Sequence, residues 1–380
     1  MKFRCERDVL VDALGSATRA VTNRGGALPV LSGVRAALVG DRLVLTGSDL
    51  DLTIQVAVTV AGTEDGVAVL PARLAADIIR ALEPGAVHVE VSESEAAIAS
   101  GRSHFSVRVL PADDFPRVAD APAEQVTLDA AALVDALRQV VPAASHDDAR
   151  PILTGVLMAA EGDGLRLVAT DSYRLAVRDL AGVSVLREGQ SVLVPSRALG
   201  ELARLLAGAE SVSLRLGERD ATFEVGAFDV SAVAGGGDGA ASGTRLTTRL
   251  IEGQFPNYRQ LIPEHQPNRL TVGREPLLDA LRRVKLLARE AIPVRLELRA
   301  ETMQLSAVTQ DVGQAEEELD AKYEGVEMGI SFNPEYLADG IDAVAGDEVT
   351  LETLDGLKPA VVRAVGRDDY LYLLMPIRVS

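Results

Sequence analysis

The sequence contains few of the residues from which disulfide frameworks and aromatic stacking sites are built. Its 380 residues include one cysteine, no tryptophan and only 3% aromatic side chains. The lone cysteine, Cys5, cannot form an intrachain disulfide, so we expect a buried thiol in the first strand and a reducing compartment. Single-stranded nucleic-acid binding and sugar binding rely on aromatic stacking, and the composition argues against both.

Long apolar runs are also absent, so no membrane-spanning segment is predicted. The first residues, MKFRCERDVL, carry charges where a signal peptide needs an apolar stretch, and the chain is therefore expected to be cytoplasmic. Positive charge is scarce as well: 38 lysine and arginine residues stand against 56 aspartate and glutamate residues, a net charge of -18. Taken alone, this charge opposes binding to nucleic acids and acidic membranes.

No set of residues with the spacing of a catalytic site is evident. The histidines are scattered, and no nucleotide-binding, nucleophile or zinc motif is present. One acidic residue does recur after a predicted strand, as Asp49, Asp171 and Asp311. A metal-dependent enzyme would need these carboxylates to gather around one ion, whereas an aspartate that stabilises a turn explains them without any ion. The sequence therefore favours a protein without catalysis, cofactor or metal.

One pattern of about 120 residues is present three times, and such self-similarity sets the architecture of a chain. The copies begin with LPVLSGV at Leu28, RPILTGV at Arg150 and IPVRLEL at Ile292, and close on LPADDFP at Leu110, LIEGQFP at Leu250 and LLMPIRV at Leu373. Pro29 and Pro151 lie 122 residues apart, but Phe115 and Phe255 lie 140 apart. We therefore predict a flexible hairpin insertion at 234–243 (AGGGDGAASG) and three domains, at 1–120, 125–264 and 266–380.

Each copy is predicted to contain two helices and about six to eight short strands. An apolar stripe marks the first helix of the first copy at Leu10, Ala13, Leu14 and Ala17. The second helix is inferred in the same way from Leu74, Ile78 and Leu82. Helices that cover one face of a sheet give an α+β fold, repeated three times in tandem.

Arginines recur at matching positions of the second helices. Arg73 and Arg80 are seven residues apart, and Arg197 and Arg204 repeat this spacing in the second copy. Residues seven apart share a helix face. In the third copy the positive charge moves to the first helix: Arg282, Lys285 and Arg289. A solvated helix face explains such charge, but its recurrence in an acidic protein also fits a single basic surface.

In combination, several motifs resemble one family over the whole chain, the bacterial sliding clamp or β subunit of DNA polymerase III. They are MKF at the start, LPVLSGV, LTGSDLD, VLPARL, SGRSHFSVRVLPADDFP, ATDSYRLAV, QFPNYRQLIP and the terminal LLMPIRV. The resemblance implies a DNA-clamp fold with three similar domains per chain. It also implies a head-to-tail dimer whose six domains form a ring around duplex DNA, with helices inside and sheets outside.

The implied function is that of a replication processivity factor without catalysis of its own. Implied partners are double-stranded DNA without sequence preference, a second copy of the chain, the polymerase III α subunit, the clamp loader and other proteins with a clamp-binding motif. A clamp paralogue with a specialised role, such as repair or drug resistance, has the same sequence features and stays an alternative. Arginines expected to contact DNA are Arg24, Arg73, Arg80, Arg138, Arg150, Arg197, Arg204 and Arg282.

The resemblance also implies a pocket for partner peptides beside the junction of the second and third domains. An apolar cleft with a few polar groups suits a short peptide with hydrophobic anchors. Its residues, matched motif by motif, are Leu153, Thr170, Ser172, Tyr173, Arg174, Leu175, Pro256, Gln260, Leu261, Leu374, Met375, Pro376, Ile377 and Arg378.

A dimer interface is predicted between an edge strand of the first copy and the third copy of a second chain. The first copy offers apolar Phe105 and Val107 with Arg102 nearby. The third copy offers apolar residues at a helix end and an acidic run: Leu286, Leu287, Glu316, Glu317 and Glu318. An apolar centre flanked by opposite charges fits a heterologous interface, and two such interfaces close a ring.

Overall fold

The computed structural model describes residues 1–22, 28–118, 121–122, 124–228, 242–288 and 292–378. Most of the glycine-rich segment predicted as an insertion, and Arg24 and Arg289, lie outside these residues. The strands on either side of the insertion pair antiparallel from Gly226 opposite Gly243, so the segment connects a hairpin.

The first repeat contains two α-helices and nine strands among its described residues. The helices are α1 (Arg7–Thr18) and α2 (Ala72–Ala81). The strands are β1 (Lys2–Glu6), β2 (Gly33–Val39), β3 (Arg42–Ser48), β4 (Leu52–Thr59), β5 (Ala61–Glu64), β6 (Gly66–Pro71), β7 (Ala86–Val91), β8 (Glu95–Ser100) and β9 (Ser103–Arg108).

The second and third repeats each contain two helices and eight strands within the described ranges. The second has α3 (Ala130–Val140), α4 (Ser196–Leu205), β10 (Val126–Asp129), β11 (Gly155–Glu161), β12 (Gly164–Thr170), β13 (Arg174–Leu180), β14 (Ser191–Pro195), β15 (Ser211–Leu216), β16 (Asp220–Gly226) and β17 (Gly243–Arg249). The third has α5 (Arg274–Val284), α6 (Pro334–Asp342), β18 (Asn268–Gly273), β19 (Val294–Leu298), β20 (Thr302–Thr309), β21 (Gly313–Glu324), β22 (Met328–Phe332), β23 (Glu348–Thr353), β24 (Ala360–Ala364) and β25 (Tyr370–Leu374).

The helices form where the sequence places apolar residues at helical spacing. In α1, Leu10, Ala13, Leu14 and Ala17 are all buried, as the spacing predicted. Helix α6 begins with a strong start signal, because the Asn333 side chain accepts hydrogen bonds from the backbone N–H groups of its first turn. Cys5 is buried in β1, also as predicted.

The predicted stripe of α2 is wrong in part. The buried residues of this helix are Ala72, Ala75, Ala76 and Ile79, whereas Leu74 is 52% exposed. The buried face of this helix is made mostly of alanines. A stripe of larger apolar residues therefore does not mark it in the sequence. Leu74 is the third residue of α2, so it occupies the same helix position as Ala198 in α4 and Tyr336 in α6.

Every strand pair is antiparallel, and the described strands form three sheets. The orders are β5-β1-β7-β8-β9, then β10-β15-β16-β17-β4-β3-β2-β6, and finally β14-β11-β12-β13-β25-β24-β23-β18-β21-β20-β19-β22. Two of these sheets extend from one repeat into another, because β17 pairs with β4 and β25 pairs with β13. The sheets therefore continue through the boundaries between repeats.

Contacts divide the chain into two compact units, Met1–Val134 with Arg197–Leu250, and Asp135–Ser196 with Ile251–Ser380. The division runs through the second repeat, since its two halves belong to different sheets. The predicted domain limits at 1–120, 125–264 and 266–380 follow the sequence repeat and stay a prediction. Among the described residues, no helix is both long and apolar enough to cross a membrane.

Candidate functional site

The ATDSYRL segment forms a tight turn that opens strand β13. The Asp171 carboxylate accepts hydrogen bonds from the backbone N–H groups of Tyr173 (2.9 Å) and Arg174 (3.0 Å). Ser172, at the tip of the turn, has a φ of 85°, a value that residues other than glycine rarely adopt. The first repeat has the same turn, with Asp49 bonded to the N–H of Leu52 (2.8 Å) and Leu50 at a φ of 82°.

These contacts support the turn interpretation of the repeated aspartates. Asp49 also accepts a hydrogen bond from Arg197 (2.5 Å), and Asp171 from the Arg174 side chain (2.9 Å), so both carboxylates are neutralised by arginine. The described residues include no group of histidine, cysteine, aspartate and glutamate suited to a metal ion. Asp311 has a φ of 63° in the corresponding turn of the third repeat.

Arg174 is the buried polar centre of this region. Its Nε donates to Asp171 and its Nη1 donates to Asp339 of α6 (2.6 Å), while its guanidinium lies 4.1 Å from the ring centre of Tyr336. The Tyr372 hydroxyl donates to the Tyr336 carbonyl (2.8 Å). Burial alone would lower the pKa of Arg174, but Tyr372 and the two carboxylates outweigh it and hold the pKa above its ordinary value.

Beside Arg174 lies an apolar cluster that includes Leu175 of the predicted pocket. Leu175 is buried in it, and the Thr170 hydroxyl donates to the Arg174 carbonyl (2.6 Å) to close the turn above it. Leu153 is buried too, with its carbonyl bonded to the N–H of Ser145. The other buried members of the cluster are Val168, Val177, Tyr258, Val361, Leu371 and Leu373.

The C-terminal segment is joined to this turn by backbone hydrogen bonds. Strand β25 pairs with β13 so that Leu374 lies opposite Arg174, and the Met375 N–H donates to the Tyr173 carbonyl (2.9 Å). The Ile377 N–H donates to the Ser331 carbonyl (2.7 Å). Four large hydrophobic side chains predicted for the pocket are exposed: Tyr173, Leu261, Met375 and Ile377. Pro256, Gln260 and Arg378 are exposed, and Pro376 is half-buried.

Sequence reasoning missed the residues that support this pocket. The sequence pattern assigns no role to Asp339, Tyr336 or Tyr372, because their contacts join segments that are far apart in the chain. Arg150 was assigned to DNA, but its Nη1 lies 3.2 Å from the Ser172 hydroxyl and its Nε donates to Asp147 (2.9 Å). Arg150 therefore lies beside Ser172, one of the residues of the predicted pocket.

The arginines expected to contact DNA are exposed, apart from Arg24, which lies outside the described residues. Six of the other seven bond to an acidic residue or its backbone. Arg80 bonds to Asp77 (2.9 Å), Arg204 to Glu201 (2.5 Å), Arg282 to Asp279 (2.7 Å), Arg150 to Asp147 (2.9 Å), Arg197 to Asp49 (2.5 Å) and Arg138 to the Asp342 carbonyl (3.0 Å). Arg73 has no carboxylate within ion-pair distance in the described part of the chain.

The residues predicted for the dimer interface lie on β9, after α5 and on β21. Strand β9 is the last strand of its sheet, with Phe105 40% exposed, Arg102 exposed and Val107 buried. Leu286, just after α5, is 71% exposed and Leu287 is half-buried. Glu316 and Glu318 are exposed on β21.

Glu317, between them, differs because it is bonded within its own chain. Arg283 of α5 donates to both of its carboxylate oxygens (2.7 and 3.0 Å), and this hydrogen bonding lowers the Glu317 pKa below its ordinary value.

Comparison with known proteins covers the full length of the chain. Models of the N-terminal, central and C-terminal domains of the DNA polymerase III β subunit match residues 1–119, 127–234 and 259–378. The β sliding clamp of Streptomyces coelicolor is 34% identical over 100% of both chains, and that of Staphylococcus aureus is 30% identical over 100% of this chain and 99% of its own.

Solved structures of sliding clamps also match the chain over its full length. The sliding clamp of Bartonella birtlesii, bound to griselimycin, is 30% identical with a TM-score of 0.89, and that of Bacillus subtilis is 28% identical with a TM-score of 0.87; both matches cover 100% of each chain. With its three tandem clamp domains, the chain belongs to the DNA polymerase III β subunit family, the bacterial β sliding clamps, and is a non-catalytic replication processivity factor whose partners are DNA and the polymerase.

Proposed function

We propose that two copies of this chain close head to tail into a ring of six domains that encloses duplex DNA. The ring tethers the polymerase III α subunit, the clamp loader and other proteins through the pocket beside Arg174. The observation that carries this proposal is a junction between strands of different repeats, which occurs twice within the chain. One half of a third such junction lies in the first repeat and the other half lies in the third.

The two complete junctions have the same construction. In the first unit β17 pairs with β4 and Leu246 lies opposite Ile54; in the second unit β25 pairs with β13 and Tyr372 lies opposite Ala176. Leu246 and Tyr372 are each 1% exposed. In both junctions a large apolar side chain near the end of one repeat is buried against the strand that follows the aspartate turn of another.

Backbone hydrogen bonds indicate which residue of the first repeat is equivalent to Leu246 and Tyr372. The N–H groups of Leu110, Ile251 and Ile377 donate to the carbonyls of Val69, Leu193 and Ser331, each three residues before the start of α2, α4 or α6. Phe105, Leu246 and Tyr372 each lie five residues before that donor. Phe105 is therefore the unburied counterpart of two junction residues.

Strand registers indicate which residue of the third repeat is equivalent to Ile54 and Ala176, the partners of Leu246 and Tyr372. Leu45, Leu167 and Leu305 are the fourth residues of β3, β12 and β20, and they pair with Val56, Arg178 and Glu317. Two residues before each partner come Ile54, Ala176 and Ala315. Ala315 lies in the part of β21 that pairs with β20 alone among the described strands, because β18 pairs only with the later part of β21.

A third junction of the same kind pairs β9 of one chain with β21 of another, with Phe105 opposite Ala315. In this register Arg102, in the turn just before β9, lies opposite Glu318. Cross-strand pairs of opposite charge stabilise antiparallel strands. Two such junctions close a ring with two-fold symmetry and leave no open sheet edge at the seam.

A closed ring also accounts for the weak positive charge of the proposed DNA face. A ring cannot leave DNA that has no end, so nonspecific phosphate contacts from exposed arginines are sufficient. The predicted pocket suits a peptide with hydrophobic side chains, because an apolar cluster lies beside Arg174 and the polar groups are few.

Loading on nicked circular DNA by a clamp loader, followed by linearisation, tests the topological mechanism. We expect the protein to stay on the circle during gel filtration and to be lost once the circle is cut. Equal retention on circular and linear DNA would rule out enclosure.

A disulfide tests the seam independently. Under mild oxidation, the double variant Ser106→Cys with Gln314→Cys is expected to give a covalent dimer, since these residues lie opposite each other in the proposed register. Ser106→Cys with Glu318→Cys is the matched control and should stay unlinked. A chain that is monomeric by light scattering at micromolar concentration contradicts the dimer, whereas a dimer linked only in the control contradicts the register.

A further inference from the structure

We propose that Asp77, Glu201 and Asp279 are built-in competitors of DNA phosphates for arginines of the ring interior, and so keep the enclosed duplex loosely held. The inference rests on the proposed enclosure of DNA. It assigns to these carboxylates a role in sliding, as positioning residues for the arginines beside them.

The three carboxylates occupy the same place in three helices. Each is the sixth residue of its helix, α2, α4 or α5, and each accepts a hydrogen bond from the arginine that is the ninth residue. The pairs are Asp77 with Arg80 (2.9 Å), Glu201 with Arg204 (2.5 Å) and Asp279 with Arg282 (2.7 Å). The spacing of three residues holds the two side chains on one helix face.

All three arginines point into solvent, with side chains 58, 63 and 66% exposed. They are therefore free to approach a phosphate, and their interaction with carboxylate is weak enough to be exchanged. Other helices depart from the pattern. In α3 the ninth residue, Arg138, bonds to the Asp342 carbonyl. In α6 the sixth residue, Asp339, bonds to the buried Arg174, and the ninth residue is Asp342.

A cation paired with an adjacent anion exerts little net attraction on a charge farther away. A phosphate that approaches Arg80 must displace Asp77, so the contact exchanges one anion for another. Such a contact gains little free energy from counterion release, which is the main source of nonspecific affinity for duplex DNA. The carboxylates thus lower the free-energy difference between successive positions of the ring along DNA.

Arg73 provides an internal comparison on the same helix. It lies seven residues before Arg80, is exposed, and has no carboxylate within ion-pair distance among the described residues. Its approach to a phosphate requires no exchange. Arg73 is therefore expected to contribute more to DNA affinity than Arg80.

The decisive experiment measures one-dimensional diffusion of the loaded dimer on long duplex DNA by single-molecule fluorescence at several salt concentrations. The test variant is Asp77→Asn with Glu201→Gln and Asp279→Asn. The control variant is Glu90→Gln with Glu324→Gln and Asp368→Asn, which removes the same charge from acids paired with Lys2, Lys322 and Arg363 outside the helices.

We expect the test variant to diffuse several-fold more slowly than the wild type, while the control diffuses at the wild-type rate. The salt dependence should also steepen, by about one unit of log affinity per log salt for each freed arginine that reaches a phosphate. Equal diffusion of test variant and wild type would overturn the inference. Equal slowing of test and control variants would overturn it too, since net charge alone would then be responsible.

Glu201 is only 15% exposed and also lies near Arg19, so its substitution could disturb packing. The double variant Asp77→Asn with Asp279→Asn avoids this site and should retain most of the slowing. Retention on nicked circles and loss on linearisation are measured for every variant. If the wild type fails that assay, enclosure itself is wrong; if it passes and diffusion is unchanged, only the competitor role is wrong.

Single substitutions on α2 complete the test. Arg73→Ala is expected to accelerate diffusion and flatten its salt dependence more than Arg80→Ala does. The opposite order would show that Asp77 does not restrain Arg80.

Discussion

Arg174 is the main structural residue among those predicted for the pocket. It links the aspartate turn to α6 through Asp171 and Asp339, and it lies 7% exposed beneath the ring of Tyr336. Asp171 and Asp339 come from distant parts of the sequence. Its charge therefore holds these two parts of the chain together at the predicted pocket.

Loss of Arg174 is expected to be strongly destabilising. Arg174→Ala leaves Asp171 buried without its charge partner, and breaking a buried pair in this way costs about 3 kcal/mol. Arg259→Ala removes an exposed arginine bonded to Glu161, and its cost is expected to stay below about 1 kcal/mol. Guanidinium unfolding of both variants measures the difference; equal costs would show that burial of Arg174 has no energetic consequence.

Glu317 gives a pH-dependent prediction at the same scale. Because Arg283 lowers its pKa below the ordinary value of 4.5, the pair contributes stability above that pH and loses it as the pH falls through the folded value. A carboxyl ¹³C titration should place the Glu317 midpoint below 4.5. Arg283→Ala should raise the midpoint, and Arg282→Ala, one residue away, should leave it unchanged. An unchanged midpoint in Arg283→Ala would contradict the assigned cause.

At the scale of elements, sequence periodicity predicts most helices correctly and fails where alanine forms the buried face. In α1, Leu10 and Leu14 mark the buried face, and Ala13 and Ala17 lie on the same stripe. In α2 the alanines Ala72, Ala75 and Ala76 are buried instead, and Leu74 is left outside. Alanine is the strongest helix former and occurs on every face of a helix, so its positions do not mark the buried face in the sequence.

The exposure of Leu74 predicts a substitution that separates folding from assembly. Its counterpart in α6, Tyr336, covers Arg174 beside β13, so Leu74 is expected to cover the seam with a second chain. Leu74→Ser should change unfolding free energy by no more than about 0.5 kcal/mol and weaken the dimer. Ile79→Ser, at a buried site of the same helix, should cost about 3 kcal/mol. Sedimentation and denaturation measure the two effects; a fully stable dimer in Leu74→Ser would contradict the role.

At the scale of the whole molecule, the threefold repeat could be predicted from sequence, but the path of its sheets could not. The motifs fix which residues are equivalent, as Pro29 and Pro151 do. They contain no information on whether a strand pairs within its repeat or with the next one. Asp339 is 165 residues from its partner Arg174, and β4 of the first repeat pairs with β17, the last strand of the second repeat. Such pairings depend on open strand edges that only the folded chain defines.

The equivalence of Phe105, Leu246 and Tyr372 yields the sharpest prediction about assembly, since one substitution has opposite consequences at equivalent sites. Leu246→Arg places a charge in the interior of the first unit and should destabilise the fold by about 4 kcal/mol or more. Phe105→Arg changes a residue that is 40% exposed in the single chain, so the chain should fold normally.

Its dimer should nevertheless dissociate, because burial of such a side chain contributes about 1.5–3 kcal/mol and each 1.4 kcal/mol is tenfold in affinity. Light scattering of Phe105→Arg should therefore reveal a folded monomer that is not retained on nicked circles. A stable Phe105→Arg dimer, or an equally unfolded pair of variants, would mean that the third junction does not repeat the other two.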